Sequence, residues 1–167
     1  MKRILALVLG LALVVTFDRA ATAQDVATQL VGVWKAVDIS RKEIESGKID
    51  KPYGEKPVAY FIFTKGGYFS WTFVAENRQK PAGAAVTDAE RVELFKTMSF
   101  GTGTYKVEAN KLALRYDSSW HHAWVGIERV SDVPAISGTR MVNTSSVFKH
   151  PVSGVNAITI QTFERVD

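Results

Sequence analysis

The strongest constraint on the fold is an alternating aromatic segment that follows a glycine turn. Positions 69, 71 and 73 are Phe, Trp and Phe, whereas smaller or polar side chains occupy most of the positions between them. An extended chain with this period has one apolar face and one mixed face. Gly66 and Gly67 precede it and accept a turn backbone at low cost, and residues 58–63 before the turn are apolar. The pattern predicts a β-hairpin of residues 58–63 and 68–74.

The rest of the chain repeats short apolar segments between turn residues. Further strands are predicted at residues 32–41, 100–107, 111–118, 124–133, 139–149 and 157–166. Thr87 and Glu90 form a capping box that predicts one helix over residues 88–98, whose apolar stripe of Val92, Phe95 and Met98 is expected to cap one end of a barrel. The prediction is an all-β fold: a single antiparallel up-and-down barrel of about eight strands, with one short helix between strands.

The N-terminal segment has the organisation of a bacterial signal peptide. Lys2 and Arg3 precede an apolar run over residues 4–15, which is shorter than the roughly 20 residues of a membrane span. Residues 21–23 form a small-x-small triplet, so cleavage is expected after Ala23. We therefore expect a signal peptide at residues 1–23, a single domain at residues 24–167, and a periplasmic or secreted protein without stable membrane insertion. An uncleaved N-terminal anchor is the alternative.

Charge and cysteine content exclude several classes of function. The signal segment carries three of the 21 basic residues and one of the 17 acidic ones, which leaves a net charge of +2 on the rest. A net charge this small does not indicate a nucleic-acid partner, because proteins that bind nucleic acids carry a strongly basic surface. The chain contains no cysteine, which excludes disulfides, thiol chemistry and lipid attachment at a cysteine.

No motif of established chemistry is present. His121 and His122 are adjacent, so on a strand they point to opposite faces and do not form a metal pair. The nucleophile elbow, the phosphate loop and the dinucleotide fingerprint are absent from the sequence. The sequence therefore assigns no catalytic residue, no metal and no cofactor, and a binding protein is favoured over an enzyme.

Several short motifs, taken in order, carry a family resemblance. They are Gly32-Val33-Trp34, Pro52-Tyr53-Gly54, Tyr60-Phe61-Ile62-Phe63-Thr64, Gly67-Tyr68, Gly103-Thr104-Tyr105, Trp124-Val125-Gly126 and Glu164-Arg165. Over about residues 28–166 the chain resembles the lipocalin-like domain family of bacteria and fungi, many members of which have no established activity. The resemblance implies a closed barrel whose first-strand Trp packs against an Arg of the last strand.

Three residues match the positions that close the barrel in that family. Gly32 and Trp34 belong to the Gly-x-Trp motif of the first strand, and Arg165 lies in the last strand. A guanidinium stacked on an indole contributes about 0.5–2 kcal/mol. The alternative is that Trp34 is an ordinary core residue and Arg165 an ordinary surface residue.

Aromatic side chains are the best candidates for a ligand site. The residues expected to line a barrel cavity are Tyr60, Trp71, Phe73, Tyr105, Arg115, Tyr116, His121 and Trp124. Arg115 either faces solvent or reaches inward to hold an anion. The alternative for the whole set is core packing, because an eight-stranded barrel can fill its own interior.

The sequence thus predicts an exported lipocalin-like protein that binds a small hydrophobic or amphipathic molecule. Two alternatives stay open. One is an isomerase- or cyclase-type enzyme on the same barrel, with Arg115, Tyr105 or His121 as its polar group. The other is a filled barrel that acts as a structural or interaction protein.

Overall fold

A single antiparallel sheet dominates the molecule. The computed structural model describes residues 23–150 and 153–167. Within these residues it has the helices α1 (Ala23–Leu30) and α2 (Asp88–Lys96), the 3-10 helix η1 (His122–Trp124), and the strands β1 (Gly32–Glu43), β2 (Ile49–Asp50), β3 (Val58–Phe63), β4 (Tyr68–Val74), β5 (Met98–Glu108), β6 (Lys111–Ser119), β7 (Glu128–Asp132), β8 (Ala135–Ser137), β9 (Arg140–Thr144), β10 (Phe148–Lys149) and β11 (Asn156–Arg165).

The strands follow an up-and-down path. Their order across the sheet is β7-β6-β5-β4-β3-β1-β11-β9-β8, while β2 pairs with β1 and β10 pairs with β11 as short additions. Strands that are neighbours in the sheet are mostly neighbours along the chain, and the first and last strands pair with each other. The predicted all-β, antiparallel, lipocalin-like fold is confirmed.

The sheet curls until its two edge strands come together. β7 and β8 lie at opposite ends of the strand order, yet only Val133 and Pro134 separate them along the chain. Three Cα steps span at most about 11 Å, so the two edges must approach each other at this point. No ladder joins β7 to β8 in the described residues. The barrel therefore has a seam here, whereas the resemblance implies full closure.

The predicted hairpin is present with its predicted bounds. Burial alternates along β3 and β4, so that Phe61, Phe63, Phe69, Trp71 and Phe73 point into the barrel. Phe61 and Phe63 stack with their ring centroids 4.4 Å apart. The period-2 pattern of β4 therefore predicts its inward face correctly, whereas β3 has apolar residues on both faces and its pattern does not distinguish them.

Trp34, Arg165 and α1 close one end of the barrel. The Arg165 guanidinium carbon lies 4.2 Å from the centroid of the Trp34 ring. Arg165 Nη1 donates to the Val31 carbonyl at 2.6 Å and Nη2 to the Gln29 carbonyl at 2.5 Å. Trp34 Nε1 donates to the Leu30 carbonyl at 2.8 Å. These donors satisfy carbonyls at the C-terminal end of α1 and hold the helix across the barrel end.

Gly32 leaves the space that the Arg165 guanidinium occupies. Its φ is +138°, a conformation that favours glycine, and a Cβ at this position would lie 2.4 Å from Arg165 Nη1. Any larger residue at position 32 would displace the guanidinium. Gly32 is therefore part of the closure.

Two predicted strands are interrupted, and the sequence prediction is corrected there. Residues 124–133 contain the end of η1, a turn at Gly126 with φ +79°, and only then β7. Residues 139–149 divide into β9 and β10, because Ser145 Oγ donates to the Ser146 carbonyl at 2.9 Å and accepts from Thr159 N at 3.0 Å. Such side-chain bonds compete with the ladder.

The helix α2 lies on the surface and buries none of its residues. Its capping box is formed as predicted, but Val92 is 49% exposed and Phe95 45% exposed. The expected inward stripe is therefore corrected: Phe95 stacks instead on Trp120, with ring centroids 4.6 Å apart. Met98 belongs to β5, so the helix ends at Lys96.

The predicted signal segment lies outside the described residues, apart from Ala23 at the start of α1. Among the described helices, none has both the length and the apolar character needed to cross a membrane.

We predict that Arg165→Lys lowers the free energy of unfolding by about 1–3 kcal/mol, because lysine keeps the charge but loses the two-carbonyl fork and most of the stacking. Urea unfolding of the original protein and of the variant measures this difference in the free energy of unfolding. Arg115→Lys is the matched control, since Arg115 is exposed on β6. Equal losses in the two variants would show that the closure adds no stability.

We predict that Ala109→Gly stabilises the protein by about 0.5–1 kcal/mol. Ala109 and Asn110 connect β5 to β6 with φ values of 43° and 64°. A left-handed alanine costs roughly 1–2 kcal/mol, part of which the greater entropy of unfolded glycine offsets. Thermal unfolding measures the change. An unchanged or lower midpoint would contradict a strained turn.

Candidate functional site

A cavity of about 240 Å³ lies inside the barrel, toward the end opposite α1. Trp34 stands near the start of β1 at the closed end, whereas Arg41 near the end of β1 lines the cavity. The lining residues come from most of the strands and from the loops at the open end: Arg41, Pro52, Tyr53, Phe61, Trp71, Phe73, Lys96, Met98, Ser99, Leu112, Leu114, Tyr116, Trp120, Trp124, Arg129, Ser131, Asn143, Ser145, Ser146, Phe148, His150, Thr159 and Gln161.

Aromatic rings form the largest part of the cavity wall. Trp71 lies with its ring centroid 4.8 Å from that of Phe73 and 6.3 Å from that of Trp124. The ring centroids of Tyr116 and Trp124 are 6.1 Å apart. All three contacts are tilted, with ring centroids at distances typical of favourable aromatic pairs. The wall therefore offers ring faces and edges to an apolar body.

Gly101 lets Trp71 and Tyr116 meet. A Cβ at position 101 would lie 2.5 Å from Tyr116 Cε1 and 2.9 Å from Trp71 Cε2. In the space that glycine leaves, Trp71 Nε1 donates to the Tyr116 hydroxyl oxygen at 3.3 Å. The tyrosine oxygen is thus used as an acceptor, and its own hydrogen remains to be donated.

Polar groups occupy other parts of the wall. Asn143 Nδ2 donates to Gln161 Oε1 at 2.8 Å, while Asn143 Oδ1 is buried and has no partner in the described chain. The Tyr53 hydroxyl and Ser99 Oγ are 2.6 Å apart. Burial raises the pKa of Tyr53 above its usual value, and the bond to Ser99 partly offsets this shift.

Arg129 brings a positive charge to the cavity. Its guanidinium carbon lies 4.8 Å from the ring centroid of Phe148 and 5.2 Å from that of Trp124. The Nη2 atom is buried, and no group of the described chain hydrogen-bonds to it. Burial raises the pKa of Tyr116, and the Arg129 charge, followed by side-chain hydrogen bonds with Trp71 and Arg129, lowers it in part.

The other cationic side chains at the cavity have partners. Arg41 forms a two-point ion pair with Asp50, and Lys96 Nζ lies 3.2 Å from Glu93 Oε1. Burial, followed by the Arg41 charge, lowers the pKa of His150, so this imidazole is neutral at pH 7. Within the described residues, Arg129 is the lining cation without an ion pair.

Comparisons with known proteins identify the family. The model of a lipocalin-like domain matches residues 31–166, most of the chain. The chain belongs to the lipocalin-like domain family. No curated protein matches it. A crystal structure of an uncharacterized protein from Bacteroides eggerthii DSM 20697 is similar at 16% identity and a TM-score of 0.42, covering 82% of this chain and 99% of that chain.

Half of the residues predicted to bind ligand line the cavity of this lipocalin-like barrel. They are Trp71, Phe73, Tyr116 and Trp124. The first two follow from the alternation along β4, and Tyr116 from the alternation along β6. Their roles toward a ligand remain predictions.

Two predicted site residues point away from the lipocalin-like cavity. Tyr60 lies on the exposed face of β3, between the buried Ala59 and Phe61. Arg115 lies on the exposed face of β6, between Leu114 and Tyr116 of the cavity wall. Tyr60 therefore does not line the cavity, and of the two alternatives for Arg115 the structure shows the solvent-facing one.

Two others are near the interior without lining the cavity. Tyr105 belongs to the core and donates its hydroxyl to the Thr64 carbonyl at 3.0 Å. His121 packs beside Trp120 and Trp124, with ring centroids 5.8 and 6.2 Å away. Neither is among the lining side chains.

The most important residue that the sequence analysis missed is Arg129. A continuous strand over residues 124–133 would place Trp124 and Arg129 on opposite faces. The turn of η1 and the left-handed Gly126 break this alternation, and both side chains face the cavity. In β7 the inner positions are the polar Arg129 and Ser131, while Val130 between them is exposed, so apolar periodicity gives no signal for an inward Arg129.

The lipocalin-like barrel also has a concavity at its seam. It measures about 420 Å³ and is lined by residues of β7, β8 and β9 and their flanking turns. Ser131, Ser145 and Ser146 line both this concavity and the aromatic cavity. The two spaces therefore adjoin where β7 and β8 do not pair.

No group of three or more His, Cys, Asp or Glu side chains in the described part of the chain is arranged to hold a metal ion.

We predict that stability falls above about pH 10. Burial raises the pKa values of Tyr53 and Tyr116, so the folded state keeps protons that the unfolded chain releases near pH 10. The tyrosine contribution is therefore fully present below that pH and is lost as the pH rises toward the folded pKa. Each group contributes a slope of up to about 1.4 kcal/mol per pH unit. Urea unfolding from pH 8 to 11.5 measures it.

Tyr116→Phe should make this alkaline loss shallower. The matched control is Tyr68→Phe, which removes a phenol from the outer face of β4. If both variants lose stability as steeply as the original protein does, buried tyrosines are not the cause.

Proposed function

We propose that this protein is exported and that its barrel binds a small apolar or amphipathic molecule. The observation that carries the proposal is the cavity of about 240 Å³ with aromatic walls. Clefts of this kind, mostly apolar with a few polar groups, are typical of small-molecule sites. Membership of the lipocalin-like family supports a binding barrel, and the signal-like segment at residues 1–23 supports export.

The cavity volume limits the size of the body that fits. A dry cavity of about 150 Å³ holds benzene, so 240 Å³ suits a body of one to two rings. Longer substituents have room to leave through the open end or beside the seam, where the adjoining concavity lies. The cavity argues against a barrel filled entirely by its own side chains.

An enzyme on the same barrel is the second candidate. It needs a polar group inside the cavity, and Arg129, Tyr116 and His150 meet that need. Binding and catalysis then differ in the fate of the ligand. A bound molecule that returns with an altered mass or isomer composition after incubation with fresh protein would favour the enzyme.

The first test is native mass spectrometry of the protein purified from its own host without detergent. A reproducible additional mass that is lost on denaturation would support the binding proposal and define the ligand class. The second test is calorimetric titration with 2-naphthylmethanol, a neutral two-ring probe. We expect one-to-one, saturable binding with a negative heat-capacity change.

We predict that Leu114→Trp weakens the binding of 2-naphthylmethanol at least about tenfold. Leu114 lines the cavity, so the added indole volume fills the space that the probe would occupy. Tyr60→Trp is the matched control, because Tyr60 lies on the outer face of β3. Circular dichroism establishes that both variants are folded. Equal affinities of the two variants would place the probe outside the cavity and contradict the proposal.

A further inference from the structure

We propose that Arg129 holds a carboxylate group of the ligand, so that the protein selects small ring-bearing carboxylic acids; this inference rests on the proposed binding function. It assigns an anion subsite to a side chain in the wall of a cavity that combines aromatic and polar groups. The apolar body of the ligand would lie against Trp71 and Phe73, and its carboxylate would face Arg129.

Aromatic rings hold the guanidinium of Arg129 in place. Its Cζ lies 4.8 Å from the centroid of Phe148 and 5.2 Å from the centroid of Trp124. Rings stabilise the faces of a guanidinium but leave its edge, where the N–H donors are, free for other partners. The stacking thus orients the group without using its hydrogen-bonding capacity.

The donor edge of Arg129 is only partly satisfied by the protein, because Tyr116 is a side-chain hydrogen-bond partner of this guanidinium whereas Nη2 has none in the described chain. Nη2 is buried and has no hydrogen-bond acceptor in the described chain, and no carboxylate there forms an ion pair with this guanidinium. A buried donor atom without an acceptor is unfavourable, and a half-buried charge without a counter-ion adds a further cost. A carboxylate supplies both the opposite charge and planar acceptors that match the guanidinium fork.

The other cationic side chains of the cavity do not offer the same site. Arg41 is already paired with Asp50, and Lys96 with Glu93. Arg115, whose sequence position suggested an anion site, lies on the outer face of β6. The charge that remains for a ligand in the described cavity is therefore that of Arg129.

Tyr116 provides a second donor beside Arg129. Its oxygen accepts from Trp71 Nε1, so the hydroxyl hydrogen is not used in that bond. Because burial raises the pKa of this phenol, it keeps its hydrogen at neutral pH. A carboxylate beside Arg129 would thus find a guanidinium N–H and a phenolic O–H on one side of the cavity.

The test compares three probes that have the same two-ring body: 2-naphthoate, 2-naphthamide and 2-naphthylmethanol. Their calorimetric affinities are measured for the original protein and for Arg129→Gln. We expect the original protein to prefer the carboxylate, and Arg129→Gln to weaken its binding about ten- to hundredfold. The uncharged 2-naphthamide and 2-naphthylmethanol should lose much less affinity than the carboxylate does. Circular dichroism establishes that the variant is folded.

Arg115→Gln is the matched control, because it removes the same charge from the outer face of the neighbouring strand. It should leave 2-naphthoate binding unchanged. Arg129→Lys keeps the charge without the planar fork and should give an intermediate affinity. Raising the salt from 0.05 to 0.5 M should change carboxylate binding little, since a buried pair is screened weakly.

The outcomes separate this inference from the proposed function. If the neutral probes bind in the cavity but the carboxylate binds no better, or if Arg129→Gln and Arg115→Gln have equal effects, the carboxylate site is overturned and the binding function stands. If no probe binds the original protein, the proposed function and this inference both fail.

Discussion

The pairing of the first strand with the last organises the whole barrel. Trp34 and Arg165 are register partners in β1 and β11, and the guanidinium stacks on the indole. Because Arg165 also binds carbonyls of Gln29 and Val31, the same contact holds α1 against the barrel. One end is thereby closed with short-range contacts, and the remaining interior space lies toward the other end. The position of the cavity therefore depends on a contact at the far end of the barrel.

Because the first long strand, β1, pairs with the last strand, β11, the sheet has its unpaired edges at other strands. Here these free edges are β7 and β8. Both are short, which limits edge-to-edge association with other molecules. The seam is also where the outer concavity adjoins the aromatic cavity, through Ser131, Ser145 and Ser146. The cavity wall is therefore not continuous at this point, and residues beside the unpaired edges form part of its surface.

Local sequence periodicity predicted those parts of the fold in which one strand runs without interruption. The hairpin of β3 and β4 and the capping box of α2 are local patterns, and both are present. The site was predictable only where such strands supply it, as for Trp71 and Phe73. Arg129 lies beyond η1 and Gly126, where the period is lost, so its inward direction depends on tertiary structure. Tyr60 was misplaced because both faces of β3 are apolar.

Two arginines, Arg165 and Arg129, each stack on a tryptophan, but they differ in their hydrogen bonds. Arg165 lies on Trp34, and both of its terminal nitrogens donate to backbone carbonyls, so its polar capacity is used within the fold. Arg129 lies on Trp124 and Phe148, yet its Nη2 has no acceptor in the described chain. Stacking alone does not satisfy a guanidinium, because the ring contacts its face and not its N–H edge. The two arginines therefore differ in hydrogen bonding: the fold satisfies both terminal nitrogens of Arg165, whereas Nη2 of Arg129 has no acceptor among the described residues.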